Sequence, residues 1–99
     1  MEDFTEHEQI GKLPSLREVP ANPTAKLIYL ALRDAAGFGN YVIIPQRHMA
    51  EALGLSRKAV SANLRRLERA GVITIESLYN QYGSRLPNKY RLRGKQNDG

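Results

Sequence analysis

The chain contains no cysteine and no tryptophan, only two phenylalanines and two histidines, and no long apolar run. Without cysteine there is neither a disulfide framework nor a thiolate metal site. A membrane-spanning helix needs about 20 consecutive apolar residues, and no stretch supplies them. The amino terminus, MEDFTEHEQ, is acidic and polar, unlike a secretory signal. These absences predict a soluble cytoplasmic protein. The two histidines, His7 and His48, have no partner pattern around them. His7 stands between Glu6 and Glu8, but adjacent residues do not converge on one metal ion. The segment GFGN lacks the lysine and the spacing of a phosphate loop, and no nucleophile stands beside a base. The expectation is a non-enzyme with no cofactor and no bound metal. Its 99 residues suit one domain with a modest core rather than a deep catalytic cleft.

Acidic charge is scarce where it matters. The formal charge is +5, but residues 1–22 hold five acidic and two basic residues whereas residues 23–99 hold five and thirteen. An anionic partner therefore meets the second part of the chain. Residues 1–21 read as an arm, either disordered or carrying a short extra helix. Its apolar strip, Leu13, Leu16 and Val19, could lie on the domain or on a second subunit as a dimerisation element. Residues 22–93 read as one folded domain, and 94–99 as a disordered tail.

Asn22 followed by Pro23 is a helix start: asparagine caps, and proline tolerates the first helical position because its missing N–H would be unpaired there anyway. The helix runs through TAKLIYLALRDAA with Leu27, Ile28, Leu30, Ala31 and Ala35 as its expected apolar face, Tyr29 being core or rim, and ends at Gly37, Gly39 and Asn40. YVII at 41–44 is β-branched and short, a strand leading into Pro45 as the first turn of a second helix that ends near Leu53. Gly54 and Leu55 then turn the chain within very few residues, fixing the next helix at a steep angle.

That next helix is capped by Ser56 and ends at Gly71. Val60, Leu64 and Leu67 fall on one face, and Lys58, Ser61, Ala62, Arg65 and Arg69 on the other. From Arg57 to Arg69 five basic residues stand against one acidic, more than the mixed charge of an ordinary solvated helix. After Gly71, VITIES and NKYRLR alternate at strand period, with Ile73, Ile75, Tyr90 and Leu92 expected inward and Lys89, Arg91 and Arg93 outward. LYNQYGSRLP between them reads as a long hairpin tip.

Ala50, Gly54, Ser56, Val60 and Leu64 at these separations, followed by LRRLERAGVI and a hairpin, resemble the winged helix-turn-helix family over about residues 23–93. More narrowly, NPTAKLIYLAL and NKYRL are similar to the winged-helix modules of plasmid and phage replication proteins; compact winged-helix repressors and plasmid centromere-binding proteins are equally open relatives. At 99 residues, initiation activity that resides in further domains is not expected. The fold implied is α+β: a three-helix core with a small antiparallel β-hairpin wing.

The resemblance implies that the helix from Ser56 enters the DNA major groove, the helix from Pro45 lies across its back, and the hairpin tip reaches backbone or minor groove. The residue chemistry points the same way. Arg57 and Lys58 lie at a helix amino terminus, where N–H groups and the dipole favour phosphate. Arg65 suits a bidentate contact to guanine, Ser61 a shorter hydrogen bond, and the Ala62 methyl a thymine. Arg66 and Arg69 extend the cationic face, Gln46 and Arg47 open the first helix of the pair, and Arg85 is the cation near the hairpin tip. The expected partners are double-stranded DNA, a second copy of the chain, and a partition or replication protein. Transcription regulation and nucleoid- or plasmid-associated site marking are the implied tasks. A winged helix serving only protein–protein interaction is the rival; RNA binding is disfavoured because Phe4 and Phe38 lie outside the expected sheet.

Overall fold

The computed structural model describes residues 19–93. Leu13, Leu16 and the tail 94–99 lie outside the described residues. Three helices come first: α1 (Pro23–Ala36), α2 (Gln46–Leu53) and α3 (Arg57–Arg69). Strand β1 (Tyr41–Ile43) lies between α1 and α2, and β2 (Ile73–Tyr79) and β3 (Arg85–Leu92) follow α3 as a hairpin. The sheet is antiparallel in the order β1-β3-β2, so the last strand is central. Tyr41 pairs with Arg91 on one side of β3, and Ile73 with Leu92 on the other.

The Asn22 side chain accepts from the backbone N–H of Thr24 and Ala25 at 2.8 and 3.1 Å, starting α1 at Pro23. The core face of α1 is rotated from the expected one. Ala25, Ile28, Tyr29 and Leu32 are buried, whereas Leu27 and Leu30 are 43% and 40% exposed. Ala31 is only half-buried and Ala35 is exposed. Apolar residues occupy most of the circumference of this helix, so periodicity alone does not fix its rotation. Burying the Tyr29 ring covers more apolar area than either leucine would.

Pro45 is also displaced by one position: it is extended and precedes α2 as the N-cap residue, without a side-chain cap. Its carbonyl accepts from Met49 N–H at 3.1 Å, the first turn of the helix. At the other end Gly54 is left-handed (φ 70°), and Leu55 N–H donates to the Ala50 carbonyl at 2.9 Å. This closure spends the last carbonyls of α2 within the turn and sends the chain directly into α3.

Val60, Leu64 and Leu67 of α3 are each at most 1% exposed and pack with α1 and the inner sheet face, including Ile73, Tyr90 and Leu92. Each such aliphatic side chain contributes about 1.5–3 kcal/mol by leaving water. Val19, the one described member of the amino-terminal strip, is 3% exposed and lies in this core.

The hairpin tip is shorter than the sequence suggested. Asn80 Oδ1 accepts from the N–H groups of Tyr82 and Ser84 at 2.8 and 3.0 Å, and Gly83 takes φ 86°. This side-chain-closed turn lets pairing begin at Tyr79↔Arg85, so Leu78–Tyr79 and Arg85–Pro87 are strand rather than loop.

Candidate nucleic-acid interface

Helix α3 is positioned by its buried face and its cap. Ser56 Oγ accepts from Ala59 N–H at 3.0 Å, satisfying one donor of the first turn. With the inner face fixed, a rotation of about 100° per residue places Lys58, Ala62, Arg65 and Arg69 along the opposite side. All four are exposed, as are Ser56, Arg57 and Arg66, and Ser61 is half-buried beside them. Among the described residues the one ion pair is Arg91–Glu76 at 3.4 Å on the sheet, so no cation of α3 is held in an ion pair there.

Ser61 and Arg65 form one wall of a polar cleft of about 220 Å³ between α3 and the hairpin. Gln46, from the start of α2, closes one end, while Ile75 and Ser77 of β2 and Arg85 and Asn88 of β3 form the facing wall. Four side chains singled out from sequence (Gln46, Ser61, Arg65 and Arg85) thus converge on one cavity although they come from three elements. Glu68 also lines it. Arg57, Lys58, Ala62 and Arg69 lie outside this cleft, on or beside the exposed helix face, and Arg47 is exposed on the first turn of α2.

Arg85 reaches the cleft because the hairpin is bulged. Glu76 pairs with Lys89 but Leu78 pairs with Leu86, so β3 carries one residue more than β2 at Pro87–Asn88, opposite Ser77. Side chains alternate along a strand, and one inserted residue exchanges the faces beyond it. Lys89 therefore shares the outer face with Tyr41, whereas Arg85 turns to the cleft side. Proline is tolerated here because a bulge leaves a backbone N–H without a ladder partner.

Sequence reasoning missed Asn63. It is 6% exposed, with Nδ2 donating to the Ala59 carbonyl at 2.8 Å and Oδ1 accepting from Arg66 Nη1 at 3.0 Å. The signal was a polar residue three after Val60, on the buried side of the helix. Its consequence is that Arg66 is tethered on the flank of α3 away from the hairpin. Asn88 was also missed, since a strand asparagine after proline has no pattern of its own.

The outer sheet face carries its cations on local partners. Lys89 Nζ lies 4.4 Å from the centroid of the Tyr41 ring, Arg91 holds Glu76, and Arg93 Nη1 donates to the Gly71 carbonyl at 3.1 Å. No group of three or more potential metal ligands occurs among the described residues, and no helix there is long and apolar enough to cross a membrane.

Residues 43–74, spanning the end of β1, α2, the turn, α3 and the start of β2, match the family described as winged helix-turn-helix DNA-binding. Match and architecture agree on a winged helix-turn-helix fold, with α3 in the place of the recognition helix and β2–β3 as the wing. No curated protein and no solved structure matches it.

Proposed function

We propose that this protein is a site-specific binder of double-stranded DNA, acting as a homodimer to regulate transcription or to mark a plasmid or phage site for replication or partition. Residues 22–93 are the binding unit, and the arm of residues 1–21 assists assembly. The observation that carries this reading is the convergence of Gln46, Ser61, Arg65 and Arg85 on one polar cleft beside an α3 surface whose cations form no ion pair among the described residues.

In this reading α3 lies in the major groove. Arg65 reads guanine and Ser61 and Ala62 read neighbouring bases, while Arg57, Lys58, Arg66, Arg69 and Arg47 meet phosphates. Gln46 and Ser56 add neutral hydrogen-bonding contacts, and Arg85 engages the backbone beside the groove. The dimer follows from length: one recognition helix covers too few base pairs to define a site in a genome. Leu27 and Leu30 on α1, exposed by 43% and 40%, give a second copy an apolar surface.

Selection of bound duplexes from random DNA, followed by mobility-shift measurement, tests the reading. Arg65→Ala should cost about 1–3 kcal/mol concentrated at one base position. An equal loss on every sequence reassigns Arg65 to phosphate, and failure to enrich any duplex favours a protein-interaction module instead.

A further inference from the structure

Arg85 is an exposed cation near the end of a hairpin, and an arginine there ordinarily samples many rotamers. Here two neighbours hold it. Nη2 donates to Asn88 Oδ1 at 2.8 Å, and Cζ lies 5.9 Å from the centroid of the Tyr79 ring. Tyr79 is its cross-strand partner, and Asn88 occupies the bulge that turned Arg85 to the cleft. We propose that Asn88 is a positioning residue for DNA binding: its side-chain amide fixes the Arg85 guanidinium in the cleft without neutralising it.

A carboxylate at 88 would hold the guanidinium as well, but it would compensate the charge that a phosphate must find. An amide oxygen occupies one N–H of the fork and leaves the others and the full charge available. The Asn88 carbonyl also accepts from Ile44 N–H at 3.3 Å, next to the Pro45–Gln46 entry to α2. One residue thereby connects the wing cation, through its side chain, and the α2 end of the same cleft, through its backbone. Substitution at 88 removes the first link and keeps the second.

The inference rests on the duplex-binding reading above. Its test is a double-mutant cycle on the full chain: fluorescence anisotropy with the selected duplex for wild type, Arg85→Ala, Asn88→Ala and the double variant. Arg85→Ala should weaken binding about tenfold and lower the salt slope by about one. Asn88→Ala should weaken it about threefold, the loss expected when an ordering contact is removed, and should cost nothing further in the Arg85→Ala background. Asn88→Asp, which keeps the tether and removes the net charge, should bind no better than Asn88→Ala. Melting temperatures should stay within a degree or so of wild type for Asn88→Ala, since the bond is exposed. A loss from Asn88→Ala that is the same in both backgrounds, or no loss at all, overturns the assignment, as does an Asn88→Asp variant that binds like wild type. If wild type enriches no duplex, the parent reading fails first and this one with it, so the two failures are distinguishable.

Discussion

Ser56 is where stability and DNA binding can be driven in opposite directions. Its Oγ accepts from Ala59 N–H at 3.0 Å and is the side-chain cap of α3. Removing such a cap costs about 1 kcal/mol, within a range of about 0.5–2. For a domain of this size that lowers Tm by about 4–8 °C per kcal/mol. Total stability of about 4–11 kcal/mol leaves Ser56→Ala folded at room temperature, so a change in affinity is not hidden unfolding. Ser56→Asp separates the terms. Aspartate caps as well as serine and interacts favourably with the amino-terminal dipole, so its Tm should equal or exceed that of wild type. The same carboxylate stands beside Arg57 and Lys58 on the face proposed to meet phosphate, where like-charge juxtaposition weakens association. The expected pattern is Ser56→Ala destabilised with slightly weaker binding, and Ser56→Asp stable with binding weaker by several-fold. Thermal melts by circular dichroism and anisotropy with a fixed duplex read the two quantities. A Ser56→Asp protein that binds like wild type would refute the placement of the α3 amino terminus against DNA. A Ser56→Ala protein that melts like wild type would refute the cap.

Leu64 is 1% exposed at the centre of the α3 inner face, so Leu64→Ala should cost about 2–5 kcal/mol by chemical denaturation; a loss below about 1 kcal/mol would show that the face is not packed as described. Tyr90 is fully buried, and its hydroxyl has no hydrogen-bond partner among the described residues. Tyr90→Phe should therefore be neutral or stabilising by about 1 kcal/mol, and a clear destabilisation would mean that the hydroxyl has a partner.

The helix pair was legible because local chemistry and periodicity agreed there. Ser56, Gly54 and the Val60–Leu64–Leu67 face each specify the same geometry, and a polar cap or turn residue leaves little alternative. Asn22–Pro23 fixed the start of α1 for the same reason. The rotation of α1 was not legible, since Leu27 and Leu30 compete with Tyr29 and Leu32 for one buried face and only tertiary packing decides. Nor was the orientation of Arg85. Its side depends on a one-residue mismatch at Pro87–Asn88, and register is a property of two strands together rather than of either sequence alone. The candidate cleft was therefore readable as a set of residues but not as a cavity: alternation without the bulge would have put Arg85 on the Lys89 face.

The salt dependence of duplex affinity tests the central claim most directly. If each subunit neutralises about four to five phosphates, log affinity should fall linearly with log salt with a slope of about −4 per subunit. Affinity for the selected duplex, measured by anisotropy from about 50 to about 200 mM salt, should then drop by two decades or more for one subunit and further for a dimer. A flat response, or no binding to any duplex at low salt, would contradict the account.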